Sequence, residues 1–251
     1  MTETSSAEST APIPSSHNRR IRALAPEHNF RWRAGEITRL EAFCDVIFGF
    51  AITLLVVSLE VPHTYAELMA DMRGFLPFAA CFAQLIMIWR THYKFSRRYG
   101  LEDPYTVFLN MVLIFLVLFY VYPLKFVFSM LFLQITGGAA PGPLGWHEGA
   151  VLMCIYAAGF ASVFLLFVLM YARAYQLRRE LNLNPVEVLI TRFSLQENVI
   201  LLLIGVGSFL IATRHPDLAG WFYLLIGPAL TIHGTIFGKR VDALAKTSAA
   251  S

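Results

Sequence analysis

Six stretches of the chain are almost continuously apolar, near residues 37–60, 74–94, 105–132, 149–172, 190–213 and 218–237. Runs of about 18 or more apolar residues make helices long enough to cross roughly 30 Å of hydrocarbon. The pattern predicts an all-α integral membrane protein with six transmembrane helices. The link over 137–148, GGAAPGPLGWHE, is rich in Gly and Pro and has no Lys or Arg. Ahead of the first stretch, residues 1–17 are polar and rich in Ser, Thr and Pro, with no apolar core of the kind a cleaved signal peptide needs. Residues 18–36 add Arg19, Arg20, Arg22, Arg31, Trp32 and Arg33. The expected organisation is a disordered, basic arm over 1–36, a six-helix membrane domain over 37–238 and a short tail over 239–251.

Composition agrees with a bilayer as the partner. Apolar residues make up 57% of the chain and charged residues 15%, and the mean hydropathy is +0.57. A soluble domain needs more charge than this to keep its surface wetted. The net charge of +3 is too small to point to nucleic acid, but its placement is informative. Seventeen of the 20 Lys and Arg residues fall on one side of a six-span threading, and only Arg73, Lys125 and Arg214 fall on the other. The positive-inside rule then puts both termini in the cytosol of a multi-pass protein of the cell membrane.

Little in the sequence points to enzyme or metal chemistry. Cys44, Cys81 and Cys154 lie inside predicted helices, and His92, His147, His215 and His233 are scattered over different segments. There is no Cys-x-x-Cys, no paired-His spacing, no nucleotide fingerprint and no G-x-S-x-G. No cofactor, metal or catalytic residue is expected.

The first stretch departs from the others. A helix over 37–60 is about 36 Å long, yet Arg39, Glu41 and Asp45 occupy its inner third. A carboxylate at the depth of Asp45 costs roughly 2–3 kcal/mol on insertion scales, so it faces protein or water. That is consistent with a helix-interior anchor and equally with a functional site. Farther along, Phe50, Thr53, Leu54 and Val57 recur at i, i+3, i+4 and i+7, and Gly49 and Ala51 flank them. Periodicity alone reads such a stripe as ordinary helix packing; around a symmetry axis it would form a hydrophobic constriction. Glu41 reads either as a cation-concentrating ring at a cytosolic mouth or as a solvated helix-end charge.

Arg39, Phe43, Cys44 and Asp45, followed by the apolar run from Phe50, resemble the first-helix R-x-x-x-F-S-D signature of the transmembrane protein 175 family. Trp89 and His92, then Asn110 and Pro123, extend the resemblance more weakly, and the six-span length fits. The resemblance implies a homotetrameric, potassium-permeable channel in which four first helices line the pore, without a re-entrant pore loop. It implies a constriction at Phe50, with Thr53, Leu54 and Val57 farther along the pore, and a structural network of Arg39, Phe43, Cys44, Asp45, Trp89 and His92. Two positions depart from the pattern. Cys44 replaces the motif Ser and is a poorer hydrogen-bond donor, and Phe50 replaces an aliphatic residue. Two other readings stand beside the channel: a proton- or cation-coupled secondary transporter titrating at Asp45, and a non-conducting membrane scaffold. Against the transporter, the sequence shows no inverted repeat and no matching pair of broken helices.

Overall fold

The computed structural model describes residues 30–57, 63–65, 68–69, 72, 74–136 and 145–250. Among these, all regular structure is helical. The helices are α1 (Arg39–Val57), α2 (Phe75–Tyr99), α3 (Pro104–Thr136), α4 (Trp146–Gln176) and α5 (Pro185–Ala212). The sixth span is built in pieces: a single turn α6 (Pro216–Ala219), a 3-10 segment over Trp221–Leu225, and α7 (Ile226–Ala250). Five of the six spans are apolar and long enough to cross a membrane. The exception is α2, whose 25 residues suffice in length; Arg90, Lys94, Arg97 and Arg98 crowd its last ten residues.

Local chemistry sets the helix boundaries. Asn184 accepts from the Glu187 backbone N–H at 2.8 Å, and the Glu187 carboxylate accepts from the Asn184 N–H at 2.9 Å. This reciprocal cap, with Pro185 in the first turn, starts α5 five residues before the apolar run suggests, because capping rather than hydropathy fixes a helix start. Gly100 ends α2 at φ 57°, the left-handed conformation that glycine adopts without penalty. Thr38 does the same work for α1 as a cap at the other end, accepting from the Glu41 N–H at 3.1 Å.

In the bundle, α4 packs against both α3 and α5, α7 packs on α5, and among the described helices α1 touches α2 and α3 alone. Rings dominate the core: Tyr99, Phe95 and Tyr171 form a mutually contacting cluster next to the buried Phe160, Phe164 and Phe167. The bundle closes where glycine permits. A Cβ at Gly159 would lie 2.7 Å from Cε2 of the buried Tyr120, whose ring stacks on Tyr156.

Much of the basic charge gathers at one end of the bundle. There Arg173 pairs with Asp103 at 3.2 Å, and Thr106 donates to the same carboxylate at 2.6 Å. The arm expected to be disordered over 1–36 reaches this end too. Residues 1–29 lie outside the described residues, but Phe30 and Ala34 are buried, and Arg31 and Arg33 both pair with Glu187. Its polar composition hides this because its partners lie about 150 positions away in the chain. At the other terminus, the segment expected as a tail continues α7 to Ala250.

Two outcomes follow from this packing. Gly159→Ala overpacks the Tyr120 site, and we expect a loss of roughly 1–3 kcal/mol, read as a lower unfolding temperature in detergent. The Asp103 carboxyl responds to pH. Burial acts to raise it, but the Thr106 hydrogen bond and the Arg173 charge outweigh burial and hold it below its usual 3.8. Its stabilisation is therefore present at neutral pH and is lost as pH falls through the depressed value. Asp103→Asn should be less stable than the wild type at neutral pH, and the gap should close as the buffer is taken below about pH 4.

Candidate functional site

The sequence of α1 places two seams on opposite sides of one helix. Cys44, Phe48, Ala51 and Leu55 are buried, spaced four, three and four residues apart. Val46, Phe50, Thr53 and Val57 repeat that spacing two residues later and are exposed. Two residues are about 200° around an α-helix, so the second seam faces directly away from the bundle. Phe50 is 60% exposed and Val57 76%. Of the four residues expected to form one stripe, Phe50, Thr53 and Val57 share this face. Leu54 does not: it is half-buried and packs on the core. Val46 takes the fourth place, one turn nearer the basic end. The Thr53 hydroxyl donates to the Phe50 carbonyl at 2.8 Å, which leaves its oxygen lone pairs on the exposed side.

The buried side carries the polar groups. Trp89 Nε1 of α2 donates to Asp45 Oδ1 at 2.8 Å. His92 Nε2 lies 2.7 Å from Asn110 Oδ1, and Cys44 Sγ reaches the same oxygen at 4.0 Å. Asn110 in turn donates to the Thr106 carbonyl at 2.8 Å. His92 is fully buried and its ring lies 5.6 Å from that of Phe48. Cys44, Asp45, Trp89, His92 and Asn110 thus join α1 to both of its neighbours. The Cys44 contact is long, consistent with a thiol where a hydroxyl would bond better.

Three expected residues sit elsewhere. Arg39 is exposed and joins none of these groups. Phe43 is also exposed, at the edge of the outward face. Glu41 is only 3% exposed and lies 3.7 Å from Arg97 Nη1, beside a small cavity of about 10 Å³ that Thr38, Ser96 and Asn110 also line. Within the subunit it is therefore buried against the end of α2 and not a solvated helix-end charge. Among the described residues no group of three or more His, Cys, Asp or Glu is placed to hold a metal ion.

Comparison with known proteins bears on the same region. Residues 39–120, which hold α1, α2 and the part of α3 that carries Asn110, match the family described as endosomal/lysosomal potassium channel TMEM175. A protein of Marivirga tractuosa named as a potassium channel is 38% identical over 228 residues, covering 84% of this chain and 92% of that protein. A potassium channel of Chamaesiphon minutus is 32% identical over 96 residues, covering 35% of this chain and 47% of that protein. The crystal structure of a threonine-to-alanine variant of the potassium channel MtTMEM175, in complex with a nanobody fusion, superposes with a TM-score of 0.74 at 37% identity. It covers 85% of this chain, and the match takes in 98% of that chain.

Asp45→Ala removes the acceptor that holds Trp89 and should impair assembly or yield. A monodisperse oligomer with wild-type stability in size-exclusion chromatography would count against this anchoring role.

Proposed function

The chain belongs to the TMEM175 family, and on that footing we propose that it is a potassium channel. Four copies of α1 line a central pore, and Phe50 forms its narrowest ring. The observation that carries this reading is the outward seam of α1. A membrane-length helix anchored by polar contacts on one side presents Val46, Phe50, Thr53 and Val57 on the other, where they are exposed among the described residues. Around a fourfold axis these positions become stacked rings, and hydrophobic rings gate by dewetting.

The chemistry of each ring supports cation passage. The Thr53 hydroxyl gives its hydrogen to its own helix, so its oxygen is oriented to accept, which suits a partly dehydrated cation. One turn nearer the basic end, the Phe50 rings narrow the axis more than an aliphatic residue would. Their faces attract a cation by about 0.5–2 kcal/mol. The positive-inside rule places the basic end in the cytosol, with both termini there, in the cell membrane. Asp45 supports the channel over the transporter, since it is committed to Trp89 on the bundle side of α1.

Purified protein in planar bilayers tests the reading. Unitary, saturating currents with a potassium-dependent reversal potential are expected; slow coupled uptake would mark a carrier, and silence a scaffold. Phe50→Ala should widen the pore and lower the preference among cations. Unchanged conductance and permeability ratios in that variant would remove Phe50 from the constriction.

A further inference from the structure

The arm that precedes α1 is held at one end by a fully buried carboxylate and touches, at the other, the groups that anchor the pore helix. Glu187 has no exposed side-chain surface. It accepts from Arg33 Nη2 at 2.7 Å, from Arg31 Nε at 3.2 Å and from the Arg31 backbone N–H at 3.0 Å. The carbonyl of Asn182 receives both guanidinium groups, at 3.1 and 3.2 Å, and Arg33 Nε donates to the Leu181 carbonyl at 2.8 Å. Asn182 stands at φ 48°, a left-handed conformation in which Asn is enriched. Two arginines thus fasten the arm to the α4–α5 turn through a carboxylate that also caps α5.

The residues between and after these arginines face α2. Trp32 meets Tyr93 edge-to-face at 6.2 Å, and Tyr93 stacks on Trp89 at 5.6 Å. Trp89 is the donor to Asp45. The Arg97 guanidinium lies 5.1 Å from the Trp32 ring centre and is also the partner of Glu41. The Ala34 N–H donates to the Arg97 carbonyl at 3.4 Å. It fits there because Gly100 lacks a side chain: a Cβ at Gly100 would stand 3.3 Å from the Ala34 nitrogen. Glu41 is therefore one residue removed from the arm, through Arg97, and Asp45 two, through Tyr93 and Trp89.

We infer that residues 31–34, clasped on Glu187, form a positioning element for the pore helix, setting how often the pore is open without lining it. This rests on the reading of α1 as the pore helix. Among the described residues α1 has only α2 and α3 as helical neighbours, so one broad side of it is exposed and its rotation is set from the other. The arm enters α1 within five residues of Ala34, so it constrains the start of that helix directly. Among the described residues α1 and α5 share no contact; α2 bridges them through Arg98–Ser194 and Tyr99–Thr191, and the arm adds a second route by which a displacement of α5 reaches the start of α1. A small rotation of α1 would move Phe50 toward or away from the axis, a change that a modest coupling energy can bias.

Single-channel recording of the full chain tests this with Glu187→Gln, the double variant Arg31→Ala/Arg33→Ala, and Trp32→Ala. Open probability should change by roughly fivefold or more, with unitary conductance and the K+/Na+ permeability ratio as in the wild type. Glu187→Asp should restore part of the wild-type open probability. A merely structural role would reduce the number of channels but not the open probability of those that remain. Should Glu187→Gln fail to yield an oligomer, Trp32→Ala decides the matter, because it leaves the ion pairs in place. Wild-type open probability in the surviving variants, or a change in unitary conductance, would overturn the inference. Phe50→Ala, recorded alongside, separates the two levels. A wild-type Phe50→Ala would defeat the pore reading itself, whereas an altered Phe50→Ala with unaltered clasp variants would defeat only the clasp.

Discussion

Polar groups placed inside a membrane-length helix must find partners within the protein, and in α1 Glu41, Cys44 and Asp45 find theirs on the side that faces α2 and α3. Asp45 takes its hydrogen bond from Trp89, Cys44 turns to Asn110, and Glu41 turns to Arg97. Leaving such groups unpaired in hydrocarbon costs several kcal/mol each, so these contacts fix the rotation of the helix about its axis. Everything on the far side follows from that rotation. Had α1 turned by one residue, about 100°, Phe50 and Thr53 would leave the outward face. The anchoring network and the proposed pore lining are thus one constraint seen from two sides.

The cost of this arrangement is a subunit with an incomplete surface. Phe43, Val46, Phe50, Val56 and Val57 are exposed along a single helix, while Gly49 has open space where a side chain would stand. Small residues beside large apolar ones let like helices approach closely in lipid, where packing and not the hydrophobic effect drives association. The apolar side of α1 is therefore suited to contact with other copies of itself, consistent with the proposed tetramer.

How much of this was legible in the sequence differs from residue to residue. The six apolar runs were plain, since spanning length and hydropathy are local properties. So was the unusual inner third of α1. The outward face was legible only in part: the i, i+3, i+4, i+7 pattern admits both Leu54 and Val46 at its margins, and only the positions of α2 and α3 decide between them. The burial of Glu41 was not legible because its partner comes from the end of another helix, although Thr38 three residues earlier was a readable cap signal. Asn184, Pro185 and Glu187 likewise formed a readable helix start. Nothing local revealed that Glu187 also holds Arg31 and Arg33. An arm rich in charge and poor in apolar residues has the composition of disorder until its distant partner is known.

The charged last ten residues of α2 have a consequence for how the protein is made. The segment from Arg90 to Arg98 carries four basic side chains, which on insertion scales cost roughly 2.5–3.5 kcal/mol each at the helix centre and less toward the ends. This helix is a poor candidate to enter the bilayer by itself. Asp45 on the helix before it and Asn110 on the helix after it receive its Trp89 and His92, so its stay in the membrane is conditional on theirs. The three helices are then best regarded as a single insertion unit during biosynthesis, with α1 and α3 acting as escorts for the helix between them.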